Sequence, residues 1–231
     1  MEAHDKIIKD SAKRILGPHG MIQRGSTRKW LDDNGWFFTL IEFQPSHLEK
    51  GCFFNVGLHF LWNMSDYFIF SFYEDSTNRI NENGRDVFLA YENDGQFMEK
   101  MDCYVEKVLE KALHYRNYRR LGFAKERVLP KSWTVGIESH LFDKLMLCLL
   151  TDDEMANSYY TSLLQASKPY PAQTHPELFG WLSRRKWPDV SDGKESAAAK
   201  AYIHAVVENQ RRFWQSKGMK KLSTDPVIFT V

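Results

Sequence analysis

Apolar positions divide the chain into a strand-patterned first part and a helix-patterned second part. Between residues 5 and 16, Ile7, Ile8, Ala12, Ile15 and Leu16 recur at helical spacing, and Gly17-Pro18 ends the run. Strand-like runs follow. Asp32-Asp33-Asn34-Gly35 predicts a turn, because Asn-Gly adopts positive φ at little cost. It separates a strand near 21–31 from one near 36–44. The run Cys52 to Trp62 is expected to be a third strand, and "YFIFSFY", Tyr67 to Tyr73, a fourth. A fifth is expected near 87–91. The short links between these runs predict an antiparallel meander.

From Gln96 to Leu121 the period changes. Phe97, Met101, Tyr104, Val105, Val108, Leu109 and Ala112 recur every 3.6 residues or so, which predicts one long amphipathic helix. Further helices are expected over 138–150, 153–167 and 195–216. Asp152-Asp153 suits the cap of the second of these, and Ser191 or Asp192 with Gly193 the start of the last. Strands first and helices later predict an α+β fold. It has an N-terminal helix, an antiparallel sheet of about five strands, and a helical C-terminal half packed on the sheet. Nothing in the chain marks a linker, so the expectation is a single compact domain over 1–231. Residues 1–93 would carry the helix and sheet, and 94–231 the mainly helical part.

Composition narrows the function classes. Aromatic residues make up 14% of the 231 positions and apolar residues 43%, far from a disordered profile. Thirty-one basic and thirty acidic residues leave a net charge of +1, so no global field draws nucleic acid or membrane. The start, "MEAHDKIIKDSAKRIL", is charged throughout and does not read as a secretory signal. No apolar run approaches the ~20 residues that cross a bilayer. Cys52, Cys103 and Cys148 form no C-x-x-C pair and are expected to be buried free thiols, which fits a cytoplasmic location.

The stretch "HGMIQRGSTRKWLDDNGWFFTLIEFQPS" followed by "CFFNVGLHFLW" resembles a bacterial family carrying a domain of unknown function. The matching positions are Gly20, Gly25, Trp30, Phe43, Gln44, Ser46, Asn55, Val56 and Gly57, with Met21 where an aromatic is commoner. The resemblance covers roughly residues 5–75. It implies the α+β fold and a bacterial cytosolic setting, and it brings no activity.

Candidate chemistry is sparse. Glu42, Gln44, Asn55, His59 and Tyr73 interrupt aromatic strands, and polar groups at the centre of a sheet are either hydrogen-bonded to each other or face a pocket. Glu42 and His59 would form a general acid–base pair if the strands bring them together. Arg24, Arg28 and Lys29 flank Gly25-Ser26-Thr27, but a hairpin rather than a helix follows. The hairpin reading therefore stands ahead of a phosphate cradle. Charge is segregated. Residues 74–110 hold ten acids and four bases, whereas 111–133 hold seven bases and one acid. Arg116, Arg119 and Arg120, with Arg184, Arg185 and Trp187, interleave arginine with aromatic residues as single-stranded nucleic acid would require, although helix C-termini also favour such residues. No metal-binding, phosphate-loop or nucleophile-elbow motif is present, and no cofactor is expected.

Three functions remain. The first is a non-catalytic binding or interaction module with a protein partner, of the immunity or defence-accessory kind. The second is an enzyme or sensor of a small nucleotide-like ligand at the polar sheet centre. The third is a nucleic-acid binder through the basic-aromatic segments.

Overall fold

The computed structural model describes residues 2–132, 137–166, 170–184 and 193–230. It has the expected α+β architecture. Helix α1 (Ala3–Leu16) buries Ile8, Ala12 and Leu16, one residue per turn, and stops at the Gly17-Pro18 turn. Strands β1 (Ile22–Gln23), β2 (Lys29–Asp33), β3 (Phe37–Gln44), β4 (Gly51–Phe60) and β7 (Phe88–Ala90) form one five-stranded sheet in the order β1-β2-β3-β4-β7. Strands β5 (Asn81–Glu82) and β6 (Arg85–Asp86) make a separate short hairpin. Helices α2 (Asp94–Tyr115), α3 (Leu121–Val128), α4 (Ile137–Leu150), α5 (Ala156–Gln165), α6 (Tyr170–Thr174), α7 (Pro176–Arg184) and α8 (Gly193–Ser216) follow. Among the described residues no helix is long and apolar enough to cross a membrane.

The contacts divide the chain into two compact units. The first comprises Met1–His59, Tyr67–Arg116 and Phe213–Thr224, and the second Phe60–Asp66, Asn117–Arg212 and Asp225–Val231. The division does not follow the change of pattern near residue 93.

In the first unit, the face of the sheet that carries Phe43 and Phe54 meets α2, where Tyr104 lies 5.0 Å from the Phe54 ring. Asn93 caps α2 by accepting the Gln96 N–H at 3.0 Å, and Phe97, Met101, Val105, Val108 and Ala112 supply its buried stripe. Asp33 pairs with Phe38, and the turn between β2 and β3 passes through Gly35 at φ +83°, the conformation that selects glycine. In the second unit, α4 buries Phe142, Leu145, Met146 and Leu149 against Tyr160 and Leu163 of α5 and Leu178, Phe179 and Leu182 of α7. Helix α8 adds Ile203 and Val207 to the buried set.

Three expectations need correction. The sheet has five strands, but not the five expected. The stretch 21–31 splits into β1 and β2 around the Gly25-Ser26-Thr27 turn, and "YFIFSFY" is not a strand. Tyr67 to Tyr73 touches β4 through one bridge, Leu58 to Phe72, and otherwise folds across the sheet at Gly57. The long helix ends at Tyr115 rather than Leu121. A 3-10 turn follows over Arg116–Arg119, and the Leu121 N–H leaves the helical ladder for the carbonyl of Thr230 at 2.7 Å. Cys103 is exposed, whereas Cys52 and Cys148 are buried; all three are free. Burial pushes the Cys52 and Cys148 thiols up to about 12, which makes them inert at neutral pH.

Candidate functional site

The polar residues expected at the sheet centre are mostly used on one another. Asn55 Nδ2 donates to Gln44 Oε1 at 2.9 Å, and Arg79 Nη2 reaches the same oxygen at 3.4 Å. Arg79 continues the chain through Nη1 to Asp86 Oδ2 at 3.1 Å, and its guanidinium lies 4.0 Å over the Phe53 ring. Glu42 is held by Lys29 of β2 at 3.0 Å. Tyr73 is half-buried, its Cβ 3.6 Å from where a side chain on Gly57 would begin, and burial raises its phenol above the usual range. The structure therefore joins Gln44 to Asn55 and does not join Glu42 to His59.

His59 is sealed. It has no exposed surface, and its ring lies among Phe38, Phe68 and Trp214, with centroids 5.5 to 6.3 Å away. Nδ1 sits 3.2 Å from the Ile69 carbonyl oxygen, and Nε2 has no hydrogen-bond partner among the described residues. Desolvation lowers its pKa to about 4, against a smaller upward pull from the Ile69 backbone, so the ring is neutral at pH 7. The acid–base pair expected from the sequence does not form.

The basic stretch near residue 25 turns at Gly25-Ser26-Thr27, inside what was expected to be one strand, to form the β1–β2 hairpin, and two of its three cations are committed to structure. Arg28 binds Asp5 of α1 and reaches the Gly51 carbonyl of β4, while Lys29 holds Glu42. Arg24 stacks its guanidinium 4.9 Å over Phe68 and 5.6 Å over Trp214, two rings that are themselves stacked at 4.0 Å. The basic-aromatic segments separate. Arg116 belongs to the first unit, where it grips the buried carboxylate of Asp32 with two bonds of 2.9 Å and donates to the His19 carbonyl at 2.7 Å. It is a structural clamp, and Asp32, expected only to make a turn, is its partner. Arg119, Arg120 and Arg184 belong to the second unit and are exposed. Arg185 and Trp187 lie outside the described residues.

Sequence reasoning missed a buried polar knot in the second unit. Asp143 of α4 accepts on Oδ1 from Trp62 Nε1 at 2.7 Å and from Asn63 Nδ2 at 3.2 Å, and Oδ2 has no partner among the described residues. Burial pushes its pKa up to about 8, against the two hydrogen bonds that favour the anion. The His175 ring lies 4.7 Å from that of Phe142, tilted by 32°, its Nδ1 is 3.2 Å from Tyr202 Oη, and burial lowers its pKa to about 4. The signal was a single acid inside the apolar stretch "LFDKLMLCLL".

Two cavities of the first unit differ in charge. One, of about 570 Å³, lies between α2 and residues 74–81. Apart from Glu110, its charges are paired: His114 Nε2 sits 3.0 Å from Glu74 Oε1, and Lys111 and Lys107 bind Asp75 and Glu82. The other, of about 500 Å³, is formed by the end of α1, the β1–β2 hairpin and the turn after α8. Lys13, Lys220 and Lys221 line it, together with Met21, Trp30 and Gly25, and no carboxylate does. Among the described residues no cluster of His, Cys, Asp and Glu could hold a metal ion. Comparison of the chain with protein-family models, with curated proteins and with solved structures finds no match to any of them.

Proposed function

We propose that this protein is a non-catalytic binding module. The observation that carries the reading is the pairing of its chemistry-bearing residues. Glu42 is neutralised by Lys29, Gln44 and Asn55 hold each other, and His59 is closed off from solvent, so the centre of the sheet is built as a scaffold. A catalytic base or nucleophile must reach its substrate, and of the expected acid–base pair His59 has no exposed surface and Glu42 is engaged by Lys29. The same proposal includes the resemblance over residues 5–75, a bacterial cytoplasmic setting, and a protein partner of the immunity or defence-accessory kind.

The test is native mass spectrometry of the protein purified gently from its own host at near-natural abundance, with a substrate screen run in parallel. A stoichiometric partner is the expected result. Turnover of any substrate that disappears on His59→Ala or Glu42→Ala would overturn the reading.

A further inference from the structure

Most charged side chains of the first unit that border a cavity have an opposite charge within reach, as in the cleft beside α2. The cavity at the end of α1 breaks that pattern. The ammonium groups of Lys13, Lys220 and Lys221 have neither a hydrogen bond nor an ion pair among the described residues, and no acid stands on the cavity wall. Three like charges gathered at one concavity repel each other and focus an attractive field for an anion.

The arrangement is fixed rather than incidental. Lys220 and Lys221 sit on a turn held by four bonds. Met219 N–H donates to the Trp214 carbonyl at 3.1 Å, and Leu222 N–H to the Met219 carbonyl at 3.1 Å. Ser223 N–H donates to Asp33 Oδ2 at 3.0 Å, and Gln215 Nε2 reaches the Ser223 carbonyl at 3.3 Å. Met219 and Leu222 are buried, which leaves the two lysines between them as the exposed part of the turn. Lys13 lies in the last turn of α1, where it also complements the helix dipole. Lys220 and Lys221 stand beyond the last turn of α8, so the dipole does not account for them. Gly25, which also borders the cavity, has no atom within 4 Å of the position a side chain would take, and its N–H is without an acceptor among the described residues. The floor is apolar: Trp30 and Met21 are buried and border the same space. A volume near 500 Å³ is in the range of small-molecule sites.

We propose that this cavity binds the phosphate group of a small molecule, with Lys13, Lys220 and Lys221 around the phosphate and the molecule's apolar or aromatic body against Met21 and Trp30. This rests on the binding reading above and adds the ligand class. Isothermal titration of the full chain with AMP as probe tests it, with inorganic phosphate as the comparison and a triple variant Lys13→Gln, Lys220→Gln, Lys221→Gln as control. The three lysines are exposed, so the variant should keep the wild-type circular dichroism spectrum. AMP should bind more tightly than inorganic phosphate. The triple variant should lose at least about tenfold in affinity, the scale of removing charge-assisted hydrogen bonds. Binding should also weaken as salt is raised. No AMP binding, equal binding to wild type and variant, or equal affinity for the two probes would each overturn the proposal. A silent titration would refute this inference alone, because the binding reading is decided separately by the co-purified partner and by turnover.

Discussion

Asp143→Asn is the substitution with the most definite consequence. Asparagine keeps the carbonyl oxygen that accepts from Trp62 Nε1 and Asn63 Nδ2, and it removes the ability to ionise. Burial holds the native Asp143 carboxyl at about 8, whereas an unfolded aspartate titrates near 3.8. The folded-state value is raised, so the native state binds the proton more tightly. The stability from that proton is complete below the unfolded value and is lost as pH rises through the folded one. Between pH 6.5 and pH 8 the wild type should lose about 1.6 kcal/mol through this group, from 1.36 kcal/mol per pK unit and half-titration at pH 8. His59 and His175 do not blur the comparison. Their folded values lie near 4, below the unfolded 6.5, so they shift both proteins equally and cancel in the difference between them. Denaturant unfolding followed by far-ultraviolet circular dichroism at pH 6.5 and pH 8 measures the difference. Relative to Asp143→Asn, wild-type stability should fall by that amount across the window. Parallel curves for the two proteins would refute the reasoning.

Further outcomes follow from the same packing. Below pH 6.5 the sign reverses: His59 and His175 are held neutral by burial, so each loses stability as pH falls toward 4, and the wild-type unfolding midpoint should peak near pH 6.5. A midpoint that keeps rising to pH 5 would contradict this. Gly57→Ala would set a Cβ 2.8 Å from the Phe72 carbonyl oxygen and 2.9 Å from the Phe70 ring, and should cost about 1–3 kcal/mol of stability by overpacking. An unchanged midpoint would show that the chain crossing at Gly57 can move aside freely. Arg116→Ala strands the buried Asp32 carboxylate and should cost roughly 3 kcal/mol, with Arg116→Lys between it and the wild type because lysine cannot make both bonds. A loss below about 0.5 kcal/mol for the alanine variant would mean that water replaces the guanidinium, as at a surface pair.

Local pattern was sufficient where one element explains its own residues. The spacing of Ile8, Ala12 and Leu16 is the buried stripe of α1, and Asn34-Gly35 is the turn after β2. It was insufficient where a residue is explained by a distant one. Arg116 read as part of a basic surface because its partner Asp32 is 84 positions away. Glu42 and His59 share a sheet face by alternation, yet alternation says nothing of Lys29 on one and the aromatic enclosure of the other. "YFIFSFY" carries strand residues without the polar face that would register it, so periodicity overstated its order. The lysine cavity was invisible for the same reason: Lys13 and the Lys220-Lys221 turn come from opposite ends of the chain.

The first unit is threaded from three separate stretches, and the last of them, Phe213–Thr224, contributes Trp214, Met219 and Leu222 to its interior. On the ribosome, the sheet and both of its helices are therefore made long before the piece that closes over His59 and Phe68. The nascent chain carries that aromatic surface uncovered while nearly a hundred residues of the second unit are synthesised between Arg116 and Phe213. Because each unit is assembled from three stretches of the chain, no single cut in the gene releases either one whole.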